Sequence, residues 1–181
     1  ISSARASNKC IGAQSGDTWS LLLPLTHIAA VNVIVRSMEL GTTPIDLRDF
    51  VGEFPKANYT AIVPTQLFRA LNGDQRLLNH LRSTKAVLVG GAALSEGLRN
   101  QAELAGIKVI TTYGMTETCG GCVYDGMPLE GVQVEIRNEQ ICIKGPVLAS
   151  SIPLNDGWFE TNDIGEFNND HLVVIGRSDD V

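Results

Sequence analysis

Residues 86–112 read AVLVGGAALSEGLRNQAELAGIKVITT, and this stretch decides the fold. It opens with a continuous apolar run, Ala86 to Val89, that ends at a pair of glycines. Ser95 stands at the N-cap position of a helix predicted over residues 95–105, and Gly106 ends that helix. The next strand is predicted over residues 108–112. The order of strand, helix and strand predicts a right-handed crossover between two parallel strands.

The same alternation extends toward the N-terminus. A strand is predicted over residues 19–23, ended by Pro24, and a helix from Thr26 to a C-cap at Gly41. Helical spacing of its apolar residues predicts a buried face that consists of Ile28, Val31, Val35 and Met38. Residues 1–18 are small and polar with little periodicity, and they are predicted to form a loop.

A further strand and two helices are predicted between residues 62 and 82. Ile62 and Val63 form the short strand, Thr65 is the predicted N-cap of the first helix, and Gly73 ends it. The buried face of this helix is predicted to be Leu67, Phe68 and Leu71. A second short helix is predicted over residues 74–82.

After residue 123 the pattern changes to period-two strands separated by turn residues. Strands are predicted over residues 132–136, 140–143 and 171–175, with a hairpin turn at residues 168–170. The prediction is an α/β fold in which a parallel-sheet subdomain, residues 1–123, precedes a small β-rich subdomain, residues 124–181.

Composition and charge restrict the partners. The 181 residues are 44% hydrophobic and carry a formal charge of −6, which repels nucleic acid and anionic lipid surfaces. The most apolar stretch, residues 21–38, is interrupted by polar residues and by a proline, so it is predicted to be core rather than a membrane span. No secretory signal is recognisable, and a cytoplasmic location is expected. A homo-oligomer is left open.

Four cysteines include one C-x-x-C pair, Cys119 and Cys122. A redox motif or half of a zinc site would also have this spacing. The remaining cysteines and histidines are scattered, so reduced thiols are the preferred interpretation.

Two segments that follow the paired strands are predicted to face each other across one site. Gly90-Gly91-Ala92-Ala93 follows the first strand and Tyr113-Gly114-Met115-Thr116-Glu117 follows the second. Glycines let a planar ring approach the backbone, Tyr113 can stack on that ring, Thr116 can donate to a phosphate and Glu117 can hold magnesium. These features describe a nucleotide site, although a Gly-Gly pair is also typical of a tight strand-to-helix turn.

The motifs resemble the adenylate-forming acyl-CoA synthetase family. Four stretches are similar to motifs of this family. They are GGAAL at 90–94, YGMTE at 113–117, GWFETND at 157–163 and GRSDDV at 176–181. PLTH at 24–27 and PLEGV at 128–132 extend the resemblance over essentially the whole chain. Residues 116–126 are most similar to the branch of bacterial o-succinylbenzoate–CoA ligases, which serve menaquinone synthesis.

The resemblance implies a reaction and its ligands. A small-molecule carboxylic acid would attack magnesium-ATP to give an acyl-adenylate, and coenzyme A would then displace AMP. Adenine would lie against Gly90, Gly91, Ala92 and Gly114 and stack on Tyr113. Thr116 would contact the α-phosphate, and Glu117 would bind magnesium.

The remaining implied roles fall on residues that have ordinary alternatives. His27 would line or gate the acyl pocket, or be a core or capping histidine. Asp163 would accept the ribose hydroxyls, or be a turn residue, and Arg177 would contact ribose or phosphate, or be a surface cation. Asp179 would be the hinge of the family, or belong to a solvated acidic pair. The two cysteines of the C-x-x-C pair are expected to line the acyl pocket.

The resemblance also implies segments outside these 181 residues, namely a phosphate-binding loop and a C-terminal domain with a catalytic lysine. The chain starts at Ile1 and ends at Val181 directly after a strand-like segment, so it is expected to be a piece of a longer protein and inactive by itself. Three alternatives are a ligase for another aryl or fatty acid, a non-catalytic nucleotide-binding or interaction module, and a dinucleotide-dependent oxidoreductase. The last lacks the required G-x-G-x-x-G.

Overall fold

A computed structural model describes residues 1–179 of the chain. Within that range the helices α1 to α5 span Ser2–Cys10, Ile28–Glu39, Pro64–Leu71, Gln75–Ser83 and Glu96–Leu104. Strands β1 to β6 span Trp19–Leu21, Ile45–Asp46, Tyr59–Ile62, Ala86–Gly90, Val109–Met115 and Gly120–Tyr124. Strands β7 to β11 span Met127–Pro128, Gln133–Arg137, Gln140–Lys144, Phe159–Asn168 and His171–Arg177.

The first sheet has the strand order β2-β1-β3-β4-β5-β6-β7. Its first five strands are parallel, and β6 and β7 are added antiparallel. The predicted crossover is confirmed, because β4 pairs in parallel with β5 and Ser95 caps α5 by accepting from the backbone N–H of Leu98. The predicted α/β fold with a parallel sheet is therefore correct.

The second sheet is antiparallel, with the order β11-β10-β9-β8. The predicted hairpin turn joins β10 to β11, and both central residues, Asn169 and Asp170, have positive φ. Two consecutive positive φ angles define the turn type that matches the twist of a hairpin, and Asn and Asp tolerate them. The first sheet extends to Pro128 and the second begins at Gln133. The division into two subdomains at residue 123 stays a prediction.

Core residues lie on both faces of the first sheet, because successive residues of a strand point to opposite faces. Ala86 and Leu88 of β4 belong to a cluster with α2 and the second sheet, whereas Val87 and Val89 belong to a cluster with α3, α4 and α5. In the part of the chain that the structure describes, no helix has the length and apolar character of a membrane span.

The prediction of a loop over residues 1–18 is wrong, since Ser2–Cys10 forms α1. The buried positions of this helix are Ser3, Ala4, Ser7 and Asn8. A helix that buries small polar residues has no apolar stripe, so hydrophobic periodicity cannot detect it. Hydrogen bonds to distant residues satisfy the buried groups, as when Ser3 donates to the carbonyl of Gly121.

The predicted buried face of α2 is also wrong. Val31 and Met38 are 42% and 68% exposed, and the helix turns a different face inward. The buried residues are Ala30, Asn32, Val33, Arg36 and Ser37. The helix ends at Glu39, with Gly41 at positive φ just beyond it, as predicted.

Helix α3 begins two residues earlier than predicted. Val63 is the N-cap, Pro64 is the first helical residue, and Thr65 lies inside the helix. Proline fits there because the first helical N–H has no partner within the helix. Phe68 is 58% exposed, so of the predicted buried face only Leu67 is fully buried.

Candidate functional site

A cavity of about 650 Å³ opens at the carboxyl ends of β3 and β4 and beside the start of α2. Ligands bind at this edge in parallel sheets, and the volume is that of a small-molecule pocket. Six predicted site residues line it: His27, Gly90, Gly91, Gly114, Thr116 and Glu117. The structure therefore brings together segments that are far apart in the chain, from His27 to Glu117.

The loop after β4 depends on its glycines. A Cβ atom on Gly90 would overlap the side chain and the carbonyl of Thr112 on the neighbouring strand. Gly91 has a φ of +82°, in the left-handed region that favours glycine. Ala92 is exposed and is not among the residues that line the cavity.

The segment after residue 112 differs from the predicted loop. Strand β5 continues through Tyr113, Gly114 and Met115, and these residues pair with the antiparallel strand β6. The sequence prediction missed this because it ended the strand where the apolar run ends. The turn proper is thus limited to residues 116–119.

Side-chain hydrogen bonds fix this turn. The hydroxyl of Thr118 accepts from the backbone N–H of Met115 at 2.9 Å and lies 2.7 Å from the carbonyl of Gly120, to which it donates. Asn32 of α2 donates to the carbonyl of Cys119 at 2.6 Å. These contacts hold the turn that carries Thr116 and Glu117, so both side chains project from a fixed backbone.

Glu117 is half-buried beside the cavity. Within residues 1–179 its carboxylate makes neither an ion pair nor a side-chain hydrogen bond. An unpaired carboxylate is a suitable ligand for a hard cation such as magnesium. No cluster of three His, Cys, Asp or Glu side chains in the described range could bind a metal, so a cation at Glu117 would need oxygen ligands from a bound molecule.

The prediction that Cys119 and Cys122 line the acyl pocket is wrong, since neither lines the cavity. Cys122 is fully buried in the core, because its β-strand turns it toward the cluster around Trp19. Burial raises the pKa of its thiol to about 12, which keeps it protonated.

A second group of predicted residues meets where β5 faces the second sheet. The hydroxyl of Tyr113 donates to Asp163 at 2.7 Å, and a guanidinium nitrogen of Arg177 lies 3.8 Å from the other oxygen of Asp163. Burial, and next the hydrogen bond to Asp163, raise the pKa of Tyr113 well above its ordinary value. Tyr113 does not line the cavity, but its neighbour Gly114 does, so the two groups adjoin along one strand.

Arg177 forms a two-pronged ion pair with Asp179. Its Nε and Nη2 donate to the two carboxylate oxygens at 2.7 and 2.6 Å. Hydrogen bonding from Arg177 is the largest cause of the lowered pKa of Asp179. The last two residues of the predicted hinge motif, Asp180 and Val181, lie outside the described residues.

His27 stands directly before α2 and is exposed at the cavity. Its side chain makes no capping hydrogen bond, so the alternative of a core or capping histidine is not supported.

Sequence reasoning missed Arg36, which also lines the cavity. It is only 3% exposed, lies over the ring of Trp19 at 4.9 Å, and donates to the hydroxyl of Tyr124 at 2.9 Å. Among residues 1–179 its Nε has no hydrogen-bond partner, and no carboxylate forms an ion pair with it. Burial lowers its pKa, although an arginine stays protonated in proteins. The sequence signal was present as a charge inside an apolar stretch, but it was interpreted only as an interruption.

Comparison with known proteins gives a family match. The family model described as "AMP-binding enzyme" matches residues 1–150. This range includes the cavity, the loop after β4 and the turn after β5.

Two curated relatives carry similar descriptions. The chain is 37% identical over 202 aligned positions to the probable 2-succinylbenzoate–CoA ligase of Mycobacterium tuberculosis, covering 98% of this chain and 52% of that protein. It is 32% identical over 184 positions to the 2-succinylbenzoate–CoA ligase of Escherichia coli, covering 91% of this chain and 40% of that protein. The chain therefore spans about half the length of the curated relatives it matches.

A solved structure shares the fold. Wild-type E. coli MenE with a bound phenylether-linked analogue of OSB-AMS superposes with a TM-score of 0.83 at 30% identity. The match covers 98% of this chain and 43% of that one.

Proposed function

Because the chain belongs to the family of AMP-binding enzymes, we propose that the full-length protein is an ATP-dependent acid–CoA ligase that acts on o-succinylbenzoate. One carboxylate oxygen of the acid attacks the α-phosphorus of ATP, and pyrophosphate leaves. The thiol sulfur of coenzyme A then attacks the carbonyl carbon of the acyl-adenylate, and AMP leaves. The product, o-succinylbenzoyl-CoA, is an intermediate of menaquinone synthesis.

The nucleotide would bind along the carboxyl ends of β4 and β5. The backbone of Gly90 and Gly91 leaves room for the adenine ring, with Ala92 and Gly114 beside it. The hydroxyl of Thr116, which lines the cavity, would donate to the α-phosphate. Transfer of a nucleotidyl group depends on positioning and charge neutralisation, and a rigid backbone provides the first.

The adenosine side is proposed to extend to the second group of residues. Asp163 already accepts from Tyr113, and an ionised carboxylate has further lone pairs for the ribose hydroxyls. Tyr113 would contact adenine with its ring while its hydroxyl orients Asp163. Arg177 would contact ribose or phosphate after loosening its pair with Asp179.

Magnesium would be held by Glu117 together with phosphate oxygens, since Glu117 is the one carboxylate among the described residues that line the cavity. The ion would neutralise charge on the phosphates. His27, exposed at the cavity mouth, is proposed to line the path of the acid.

The single observation that carries the choice of acid is Arg36. A buried guanidinium is costly unless an anion accompanies it, and this one lines the cavity without a carboxylate partner in the described chain. An acid with two carboxylates can react through one and bind Arg36 with the other. The curated relatives described as 2-succinylbenzoate–CoA ligases support the same choice.

The test is a substrate panel with the full-length protein, magnesium-ATP and coenzyme A. We expect o-succinylbenzoyl-CoA and AMP with o-succinylbenzoate, and little thioester with benzoate, other aryl acids or fatty acids. Product from another acid alone would keep the ligase and reject the substrate. AMP binding without thioester from any acid would favour the non-catalytic nucleotide-binding module.

We also propose that Asp179 is the hinge of the full-length protein. A cytoplasmic location and a homo-oligomer are two further proposals. Asp179 follows the last strand and is exposed, as a pivot between domains would be. Nucleotide-dependent change in the protease sensitivity of this segment in the full-length protein would test the hinge.

A further inference from the structure

The guanidinium of Arg36 is held by a chain of neutral groups that reaches α1. Its Nη2 donates to the hydroxyl of Tyr124 at 2.9 Å, and that hydroxyl lies 2.6 Å from the hydroxyl of Ser7. Asn8, next to Ser7, donates to the backbone carbonyl of Arg36 at 3.0 Å. Tyr124 and Ser7 are both fully buried or nearly so, and neither lines the cavity.

The direction of these hydrogen bonds matters. Arg36 donates to the oxygen of Tyr124, whereas in the Tyr124–Ser7 pair either hydroxyl could be the donor. Burial raises the pKa of Tyr124 in spite of the guanidinium beside it, so the phenol stays neutral. A neutral acceptor fixes the orientation of the guanidinium without cancelling its charge, whereas a carboxylate would do both.

The same chain explains why the polar helix α1 is buried. Ser7 is 0% exposed and belongs to a helix whose inward face is made of small polar residues. Tyr124 is brought to Arg36 because β6 runs antiparallel to β5, with Tyr124 opposite Thr112. Three separate segments thus converge on one cation at the inner wall of the cavity.

We propose that Tyr124 and Ser7 are positioning residues that determine the preference for a dicarboxylic acid, by aiming the uncompensated charge of Arg36 at the second carboxylate of the substrate. The inference rests on the proposed function. It adds two residues that do not line the cavity and that would affect binding of the acid only by orienting Arg36.

The test compares Tyr124→Phe with the unchanged full-length protein. We expect the KM for o-succinylbenzoate to rise about tenfold, the size typical of losing one hydrogen bond to a charged group, while kcat and the KM for ATP change little. For β-benzoylpropionate, the same acid without its ring carboxylate, the KM or inhibition constant should not change. Ser7→Ala should shift the KM in the same direction by a smaller factor.

Two controls separate positioning from general damage. Tyr59→Phe removes the hydroxyl of another buried tyrosine, one that interacts with Asp17, and should leave every constant unchanged. In an Arg36→Met background, Tyr124→Phe should add nothing to the KM for o-succinylbenzoate, because the group that it positions is gone.

The inference is overturned if Tyr124→Phe leaves the KM for o-succinylbenzoate unchanged, if it shifts both acids equally, or if its effect persists without Arg36. Failure of the unchanged protein to use o-succinylbenzoate would instead overturn the proposed function, and this inference with it.

Discussion

The candidate site contains two arginines, Arg36 and Arg177, whose burial and ion pairing differ. Arg36 is 3% exposed and is held by a tyrosine hydroxyl and the face of Trp19. The side chain of Arg177 is 50% exposed and makes a two-pronged pair with Asp179, with Asp163 a further 3.8 Å contact. One charge is buried and uncompensated, and the other is exposed and already paired.

The difference indicates how much binding free energy an anionic ligand can gain at each arginine. A buried cation without an anion is destabilising, so an anionic ligand that reaches Arg36 recovers much of that free energy. An exposed pair contributes little to stability and is easily exchanged for another anion. Arg36 is therefore expected to dominate affinity for the acid, and Arg177 to adjust contacts to the nucleotide.

The largest expected effect follows from replacing Arg36 with methionine. We expect kcat/KM for o-succinylbenzoate to fall about 100-fold, within the range for removing one partner of a buried charge pair. The free energy of unfolding should not fall, since an apolar side chain relieves the buried charge. Substrate kinetics and urea unfolding of the full-length protein measure the two quantities.

Arg36→Lys is the matched control for this change. It keeps the charge but loses the planar fork, so an intermediate loss of activity is expected. A marked loss of stability in Arg36→Met with activity retained would mean that Arg36 is a structural residue.

A second prediction extends the comparison to the cavity wall near Arg36. In Gly90→Ala the new methyl group meets backbone as well as side-chain atoms of Thr112, and these cannot move freely. We expect unfolding to become easier by about 2 kcal/mol, as for overpacking in a core. Gly97→Ala is the control, because no atom of the described residues lies within 4 Å of its Cβ and it stands in the first turn of α5, where alanine should stabilise by about 0.4–1 kcal/mol. Equal effects at the two glycines would show that the close approach of β4 and β5 is unimportant.

A third prediction concerns the nucleotide end of the site. Asp163→Asn keeps the shape and can still accept from Tyr113, but it has fewer acceptor sites for ribose hydroxyls. We expect the Kd for AMP to rise about tenfold, with the KM for the acid little changed. Isothermal titration with AMP provides the measurement.

Asp156→Asn supplies the control for Asp163→Asn. Asp156 is an exposed turn residue with a φ of +50°, a conformation that asparagine also tolerates. Its substitution should leave AMP affinity unchanged, and a similar loss in both variants would exclude a specific role for Asp163.

The parts of the fold that the sequence predicts correctly are those with local signals. The crossover over residues 86–112 has an apolar run, a serine cap and a terminal glycine, and each signal is contained within a few residues. The hairpin at Asn169 and Asp170 is equally local. Such signals act before any tertiary contact forms, so they can be recognised without the fold.

Buried polar faces could not be predicted. Ser7 and Arg36 are buried because of hydrogen bonds to Tyr124, which is 117 and 88 residues away along the chain. Periodicity assigned the inward face of α2 to Val31 and Met38, which are exposed. The same limit applies to the site, where motifs identified Thr116 and Glu117 but not Arg36, whose role depends on its surroundings.

The smallest effect is expected at the exposed pair. Asp179→Asn weakens the two-pronged pair with Arg177, but solvent screens such pairs, so the free energy of unfolding should not change measurably. The Kd for AMP should change by no more than about threefold, because an exposed pair of this kind contributes little. Asp46→Asn is the matched control, because Asp46 and Arg48 form the same kind of two-pronged exposed pair outside the cavity. If Asp179→Asn instead slows thioester formation while AMP affinity is unchanged, Asp179 acts as the proposed hinge, and its pair with Arg177 belongs to the movement rather than to binding.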